Sequence, residues 1–398
     1  MSSVFAAVPL APRDPILGLT EAFVADPNPA KVNLGVGVYQ NAEGKLPLLD
    51  CVRLAEQQLA ADPKPRGYLP INGLAGYDAA VKQLAFGTDP ALLDRVITMQ
   101  ALGGTGALRI GADLLRQFDP QAKVLISNPS WENHQALFTR AGFTVESYRY
   151  YDPEANGVDV EGMLADLSAA TSGTIVVLHA CCHNPTGYDL TEPQWTRVLQ
   201  TVRSAGLIPF LDMAYQGFSQ SLEADGAVVR RFAESGLPVL VSTSFSKSLS
   251  LYGERVGALS LVCADADEAA RVLSQGKIVI RTNYSNPPTH GAQIAATVLD
   301  DPALRELWVT ELGAMRDRIK AMRLRLVSGL EAAGITDMGF IATQIGMFSY
   351  SGLTKPQMVA LRDHHGVYGT DKGRICVAAL NDANLDYVCR AIAAVRAE

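Results

Sequence analysis

The sequence predicts an α/β protein: a large domain with a mostly parallel sheet flanked by helices, plus a smaller α+β domain. Three observations predict it. Short, nearly continuous apolar runs alternate with amphipathic stretches through the middle of the chain, the pattern of strands buried on both faces and joined by helices. Each of these runs stops on polar or aromatic residues. From Trp308 the pattern changes to one long helical repeat, and a short mixed segment follows to residue 398.

The elements follow in chain order. Residues 1–14, "MSSVFAAVPLAPRD", read as an extended arm, because their prolines oppose a helix; an arm of this kind is often held by a partner subunit. "VITMQAL" (96–102) reads as a strand running into Gly103-Gly104-Thr105-Gly106, with a helix after it. "KVLIS" (123–127) stops before "NPSW", "GTIVVLHACC" (173–182) before "HNPTG", and "LIPFLD" (207–212) before "MAYQGF". "LPVLVSTSFS" (237–246) stops at Lys247, and "RVGALSLVC" (255–263) follows. Stretches such as "TEPQWTRVLQTVRSAG" supply the covering helices. Trp308, Leu312, Met315, Ile319, Met322, Leu326 and Leu330 recur at steps of four and three, which predicts one amphipathic helix ending near Gly334. Arg316, Arg318, Arg323 and Arg325 fall on its other faces.

Composition narrows the function. The net charge is −7, from 34 basic and 41 acidic residues. An acidic chain without a basic run argues against nucleic acid or an anionic membrane as partner. No run of about eighteen apolar residues predicts a membrane span. The N-terminus lacks the pattern of an export signal, so a cytoplasmic location is expected. The six cysteines, at 51, 181, 182, 263, 376 and 389, have no Cys-x-x-Cys spacing and read as reduced thiols. Cys181, Cys182 and His183 could suggest a metal site. Adjacent strand residues point to opposite faces, however, and no second ligand cluster has metal spacing, so no metal is expected. His364 and His365 precede Gly366 at an expected helix end.

In an open parallel sheet, ligands bind beyond the carboxyl ends of the strands. Here those ends offer Asn128, Ser130 and Trp131; Asn184; Asp212 and Tyr215; Ser244, Ser246 and Lys247; and Arg255. Gly104 and Thr105 open a helix, whose first N–H groups favour a phosphate. This is neither the dinucleotide pattern, whose third glycine is replaced by Arg109, nor a Walker loop. A phosphate at Gly104, Thr105, Ser244, Ser246 and Arg255 would leave Lys247 beside an anion, with Asp212 on a neighbouring strand end. A phosphate, a lysine and a carboxylate meet the needs of pyridoxal 5'-phosphate: the lysine bonds the aldehyde, and the carboxylate keeps the pyridine nitrogen protonated. Tyr215 suits the ring oxygen.

These residues sit in a series of blocks: "NLGVGVY", "GYLPING", "GGTGALR", "SNPSWENH", "CCHNPTG", "DMAYQGF", "SFSKSLSLYGERVGALS", "RTNYSNPPTHGA" and "GMFSYSGL". From "DPILGL" (14–19) to "GRICVA" (373–378), the chain resembles the aspartate and aromatic amino acid aminotransferases, class I pyridoxal-phosphate enzymes of fold type I. The resemblance implies a Schiff-base lysine and proton shuttle at Lys247. It implies that Asp212 holds the ring nitrogen with His134 behind it, that Tyr215 and Asn184 bond the ring oxygen, and that Trp131 stacks on the ring. Gly104, Thr105, Ser244, Ser246 and Arg255 would form the phosphate cup. Tyr68 would reach it from the other subunit of a homodimer with shared active sites. Arg374 would clamp the substrate α-carboxylate and Arg281, again from the partner, a side-chain carboxylate. Gly37 and its neighbours would form a flap over the substrate.

The implied domains are the arm at 1–14, a small domain of 15–45 with 313–398, and a large cofactor-binding domain at 46–312. The implied reaction is ping-pong transamination between an amino acid and a 2-oxo acid such as 2-oxoglutarate. Arg281 favours dicarboxylates. Gln40, Leu46 and Gly67 depart from the aspartate-specific pattern, whereas Thr105 and Asn286 follow it. The expectation is an enzyme of amino acid metabolism acting on tyrosine, phenylalanine and aspartate, with strict aspartate specificity as the alternative. Another pyridoxal-phosphate reaction, such as that of a lyase, is disfavoured by the presence of both arginines. A cofactor-binding regulator is disfavoured because the chain begins directly with the family's arm.

Overall fold

The computed structural model describes residues 3–11 and 17–397. Part of the arm, and Asp14, Pro15 and Ile16 of the "DPILGL" block, lie outside the described residues. Within the arm, Ala6 N–H donates to Ser3 O and Val8 N–H to Phe5 O, both at 3.0 Å, so residues 3–8 are turned rather than extended. The prolines exclude a helix but leave such local turns open.

One seven-stranded sheet organises the chain. Its strands are β1 (Val96–Leu102), β2 (Lys123–Asn128), β3 (Thr144–Arg149), β4 (Ile175–His179), β5 (Ile208–Met213), β6 (Val239–Ser244) and β7 (Val256–Val262). The spatial order is β1-β7-β6-β5-β4-β2-β3. Only β7 runs antiparallel to its neighbours; all other pairs are parallel. Every residue of β4, β6 and β7 is buried, which explains their unbroken apolar character. β3 is the exception at the edge: five of its six residues are exposed or half-buried, so no apolar run marks "TVESYR".

The turn from β1 into helix α1 (Gly103–Phe118) sets the first part of the site. Gly103 has φ +68°, and a Cβ there would lie 2.5 Å from Arg255 Nη2. Gly257 is equally constrained, since its Cβ would lie 2.4 Å from the Gly103 carbonyl carbon. Two backbones therefore touch where side chains would hold them apart. Gly103 N–H donates to Arg255 O, and Arg255 itself has φ +55°, a conformation that costs a non-glycine residue about 1–2 kcal/mol.

Three further helices matter to the site: α2 (Glu132–Arg140), α3 (Ala266–Asn283) and α4 (Pro302–Ala332). The α4 helix begins at the Asp301 cap, whose carboxylate accepts from Ala303 and Leu304 N–H, with proline in the first turn. It ends before Gly334, at φ +90°. At 31 residues it spans about 46 Å. The seven apolar positions from Trp308 to Leu330 are all buried, each stabilising the fold by about 2 kcal/mol. Arg323 departs from expectation: it lies on the buried side, 2% exposed. Its polar bonds, given below, explain how an arginine tolerates that position. His364 and His365 do close a helix, Lys355–His365, capped by Gly366 at φ +63°.

The ends of the chain meet. Val32–Asn33 pairs in parallel with Val367–Tyr368. Strands β8 (Phe348–Tyr350) and β9 (Arg374–Cys376) pair antiparallel, with Tyr350 opposite Arg374. Cys376 N–H donates to Leu34 O and Gln40 N–H to Ala378 O, which fixes the 34–40 segment beside β9.

Candidate active site

The strand ends converge as a parallel sheet requires. In register, His179 lies beside Asp212, Asp212 beside Ser242, and Ser244 beside Gly257. The cavity beyond them is lined by Gly37, Gly104, Thr105, Trp131, Asn184, Asp212, Tyr215, Ser244, Ser246, Lys247 and Arg255. Sequence reasoning named all eleven. It did not name Leu108, His179, Ala214 and Tyr252, and it reached Val36 and Val38 only as neighbours of Gly37. His179 could have been found as the last residue of β4; Tyr252 lies in a quoted block, and its hydroxyl accepts from Tyr39 N–H at 3.0 Å.

A larger hollow of about 900 Å³ lies against Leu19, Glu132, Tyr350, Arg362 and Thr370, and holds none of Lys247, Asp212 or Arg255. The chemistry therefore belongs to the first cavity.

Asp212 is buried at one end of that cavity. His134 Nε2 lies 2.9 Å from its Oδ2, and Ser130 Oγ lies 2.9 Å from His134 Nδ1. With the carboxylate ionised, His134 Nε2 donates to it. Burial works against the charge on Asp212, but the His134 hydrogen bond and Lys247 outweigh it and hold the carboxyl below its usual range. His179 is also buried, without a hydrogen-bond partner on either ring nitrogen among the described residues; burial pulls its pKa down to about 3, so it is neutral.

Lys247 is enclosed, with part of its surface open to the cavity. Among the described residues, no hydrogen bond to its Nζ occurs; the ammonium stands 5.1 Å from the Tyr215 ring centre. Burial lowers its pKa to about 8, opposed by Asp212 and reinforced by Arg255 and Arg374. Burial raises the Tyr215 hydroxyl well above its ordinary pKa. At the other end, Arg255 Nη1 donates to Ser246 Oγ at 3.2 Å and to Tyr252 O at 3.0 Å, holding the guanidinium beside the two serines and the start of α1.

Arg374 is 1% exposed but does not line this cavity directly. It reaches it through Asn184: Nη1 donates to Asn184 Oδ1 at 3.0 Å, and Nη2 to Gly35 O at 2.7 Å. Tyr68 and Arg281 do not line it. Tyr68 is 95% exposed, and Arg281, at the end of α3, is exposed and bonds Ser285.

The cysteines correct one argument. Cys182 lies beyond β4 at φ +51°, so strand alternation does not separate it from Cys181. Both sulfurs and a carboxylate oxygen of Asp225 lie within 4.8 Å of one another. The His183 ring turns elsewhere, between Ser127 Oγ at 2.9 Å and Thr186 Oγ1 at 2.8 Å, stacked on Tyr150 at 3.9 Å.

The donor set fits pyridoxal phosphate. The N-terminus of a helix, two hydroxyls and a guanidinium suit a phosphate. An amine of lowered pKa suits an aldehyde, and a stabilised carboxylate suits a protonated ring nitrogen.

Comparison with known proteins agrees. The family model "Aminotransferase class I and II" matches residues 29–392. The chain is 58% identical over 396 residues to an aspartate aminotransferase of Pseudomonas aeruginosa, covering 99% of this chain and 100% of that one. It is 49% identical over 386 residues to an aromatic-amino-acid aminotransferase of Escherichia coli, covering 96% and 97%. A crystal structure of an aromatic-amino-acid aminotransferase from Burkholderia pseudomallei, covalently bound to pyridoxal phosphate, superposes with TM-score 0.96 at 63% identity, covering 99% of this chain and 100% of that one.

Proposed function

The chain belongs to the class I and II aminotransferase family, and from that premise we propose that it transfers the amino group of tyrosine, phenylalanine or aspartate to 2-oxoglutarate, with pyridoxal phosphate bound through Lys247. The observation that carries this reading is the grouping of Lys247, Asp212 and Arg255 around one cavity. The two relatives, one acting on aspartate and one on aromatic amino acids, support both substrate classes.

When bound, the cofactor supplies an electron sink for the charge left at the substrate Cα. The chain's own residues do the rest. Thr105, Ser244, Ser246 and Arg255 hold the phosphate, with Gly104 leaving room for it. Asp212, kept ionised by His134, holds a proton at the ring nitrogen. Tyr215 and Asn184 hydrogen-bond the ring oxygen, and Trp131 covers the ring face. Arg374 orients the substrate by its α-carboxylate, which fixes which Cα bond breaks. Lys247, an amine that burial makes less basic, takes the Cα proton.

The site is completed by a second copy of the chain. Tyr68 and Arg281 are exposed and do not line their own cavity, and Val4, Phe5, Val8 and Leu10 of the arm are exposed apolar side chains. These observations support a homodimer in which Arg281 meets a side-chain carboxylate across the interface. The small-domain assignment, residues 15–45 with 313–398, is supported by the pairing of Val32–Asn33 with Val367–Tyr368. Six free, buried cysteines support a cytoplasmic location.

A half-reaction titration tests the reading. Aspartate and phenylalanine are added separately, without any oxo acid, while the absorbance of the bound cofactor is followed. Conversion to the amine form by both is expected. Conversion by aspartate alone would establish strict aspartate specificity, and conversion by neither would overturn the substrate reading. No absorbance of lysine-bound cofactor after reconstitution with pyridoxal phosphate would overturn the assignment of Lys247.

A further inference from the structure

Arg323 is a buried cation without a carboxylate. Among the described residues no ion pair reaches it, and it is 2% exposed on α4. Its guanidinium instead donates to Gly346 O at 2.6 Å, to Phe348 O at 3.0 Å and to Ser349 Oγ. Desolvating a guanidinium without a counter-charge is costly, and an apolar side chain of similar size would fill the same space at less cost. All three bonds go to the short segment 346–349.

That segment carries Phe348, whose ring touches three parts of the site. It lies 4.3 Å from the Arg374 guanidinium carbon and packs edge-on against Tyr215 at 5.9 Å. It also fills the space beside Gly37, where a Cβ would meet its Cζ at 2.5 Å. Arg374 is thus held by two oxygens, Asn184 Oδ1 and Gly35 O, and by one aromatic face.

We propose that Arg323 is a positioning residue for substrate binding: it fixes the 346–349 segment so that Phe348 holds the Arg374 guanidinium in the plane that receives the substrate carboxylate. The inference rests on the reading of Arg374 as the carboxylate clamp. Lysine cannot replace Arg323 fully, because a single ammonium does not reproduce a planar fork spread over three acceptors. The link also runs through packing, since displacement of Phe348 would release the aromatic face before it disturbed either oxygen.

The test uses holoenzyme carrying Arg323→Lys, Arg323→Met, Phe348→Leu, the Arg323→Lys/Phe348→Leu double change, or Arg374→Ala. Succinate, a dicarboxylate with no amino or oxo group, probes the clamp, and KM and kcat are measured beside its Kd. Loss of the aromatic contact is expected to weaken succinate and raise KM by about tenfold in Arg323→Met and Phe348→Leu. Arg323→Lys should fall between these and the wild type. In the Arg323 and Phe348 variants the cofactor absorbance and its pH dependence are expected to be those of the wild type, a result that general loosening of the fold would not produce. The double variant should be no weaker than Phe348→Leu alone, because both changes act on one link. If Arg323→Met does not fold, the lysine variant and the double variant carry the test. Additive losses in the double variant, or wild-type succinate affinity in Arg323→Lys while Arg374→Ala loses it, would overturn this inference alone. Unchanged affinity in Arg374→Ala would overturn the clamp reading, and the inference with it.

Discussion

At the scale of the residue, the site depends on a lysine that burial has made less basic. Burial lowers Lys247 to about pKa 8, Asp212 pulls it back up, and Arg255 and Arg374 push it further down. Only the neutral amine attacks an aldehyde. The rate at which apoenzyme captures pyridoxal phosphate should therefore rise with pH through about 8 and level off above it. Asp212→Asn removes the group that raises this pKa, so the midpoint should move to lower pH. A stopped-flow pH profile of both proteins checks this, and a midpoint moving upward would contradict the assignment of charges. The same group links stability to pH. Between about 8 and the ordinary lysine value of 10.5, the unfolded chain binds a proton that the folded apoenzyme does not, so its contribution to stability grows as pH rises through that window.

At the scale of the element, α4 connects the core to the site. Trp308 is fully buried, and its Nε1 donates to Ser248 O at 2.7 Å, one residue beyond Lys247. Trp308→Phe would keep most of the packing but leave that carbonyl without its donor. The expected loss is about 1–3 kcal/mol, read as a lower urea midpoint. An unchanged midpoint would show that the carbonyl finds another donor. The apolar face of α4 was legible in the sequence because its period is strict, and the strands were legible because burial on both faces makes their runs continuous. The positions that line the cavity were legible for the same reason, since Asp212, Ser244 and Lys247 stand where those runs stop. The edge strand β3 was not, because solvent on one side dilutes its pattern. The burial of Arg323 was not, because its acceptors at 346–349 are far along the chain and most are backbone oxygens, which leave no mark on residue type. Cys182 escaped for a local reason: a positive φ in a non-glycine residue cannot be read from alternation.

At the scale of the whole molecule, a single chain brings Lys247, Asp212 and Arg255 to one cavity but leaves Tyr68 and Arg281 exposed and outside it. If a second copy completes each site, two different defects can be made to complement one another. Lys247→Ala chains retain Arg281 and can lend it to a neighbour. Arg281→Ala chains retain Lys247 but lend nothing to a dicarboxylate. A mixed dimer then contains one site with Lys247 from one chain and Arg281 from the other, and a second site lacking both. Random exchange makes half of all dimers mixed, so the mixture should recover about one quarter of the wild-type aspartate activity per site. Neither parent protein should approach that value, because Lys247→Ala lacks the base and Arg281→Ala leaves a carboxylate unpaired in the pocket. Phenylalanine sharpens the comparison. Its side chain bears no carboxylate, so Arg281→Ala should keep phenylalanine turnover before any exchange, and mixing should add nothing. Native mass spectrometry establishes that mixed dimers have formed. If they have and aspartate activity does not rise, Arg281 acts within its own chain or not at all, and the shared site is wrong even though the family and the lysine stand.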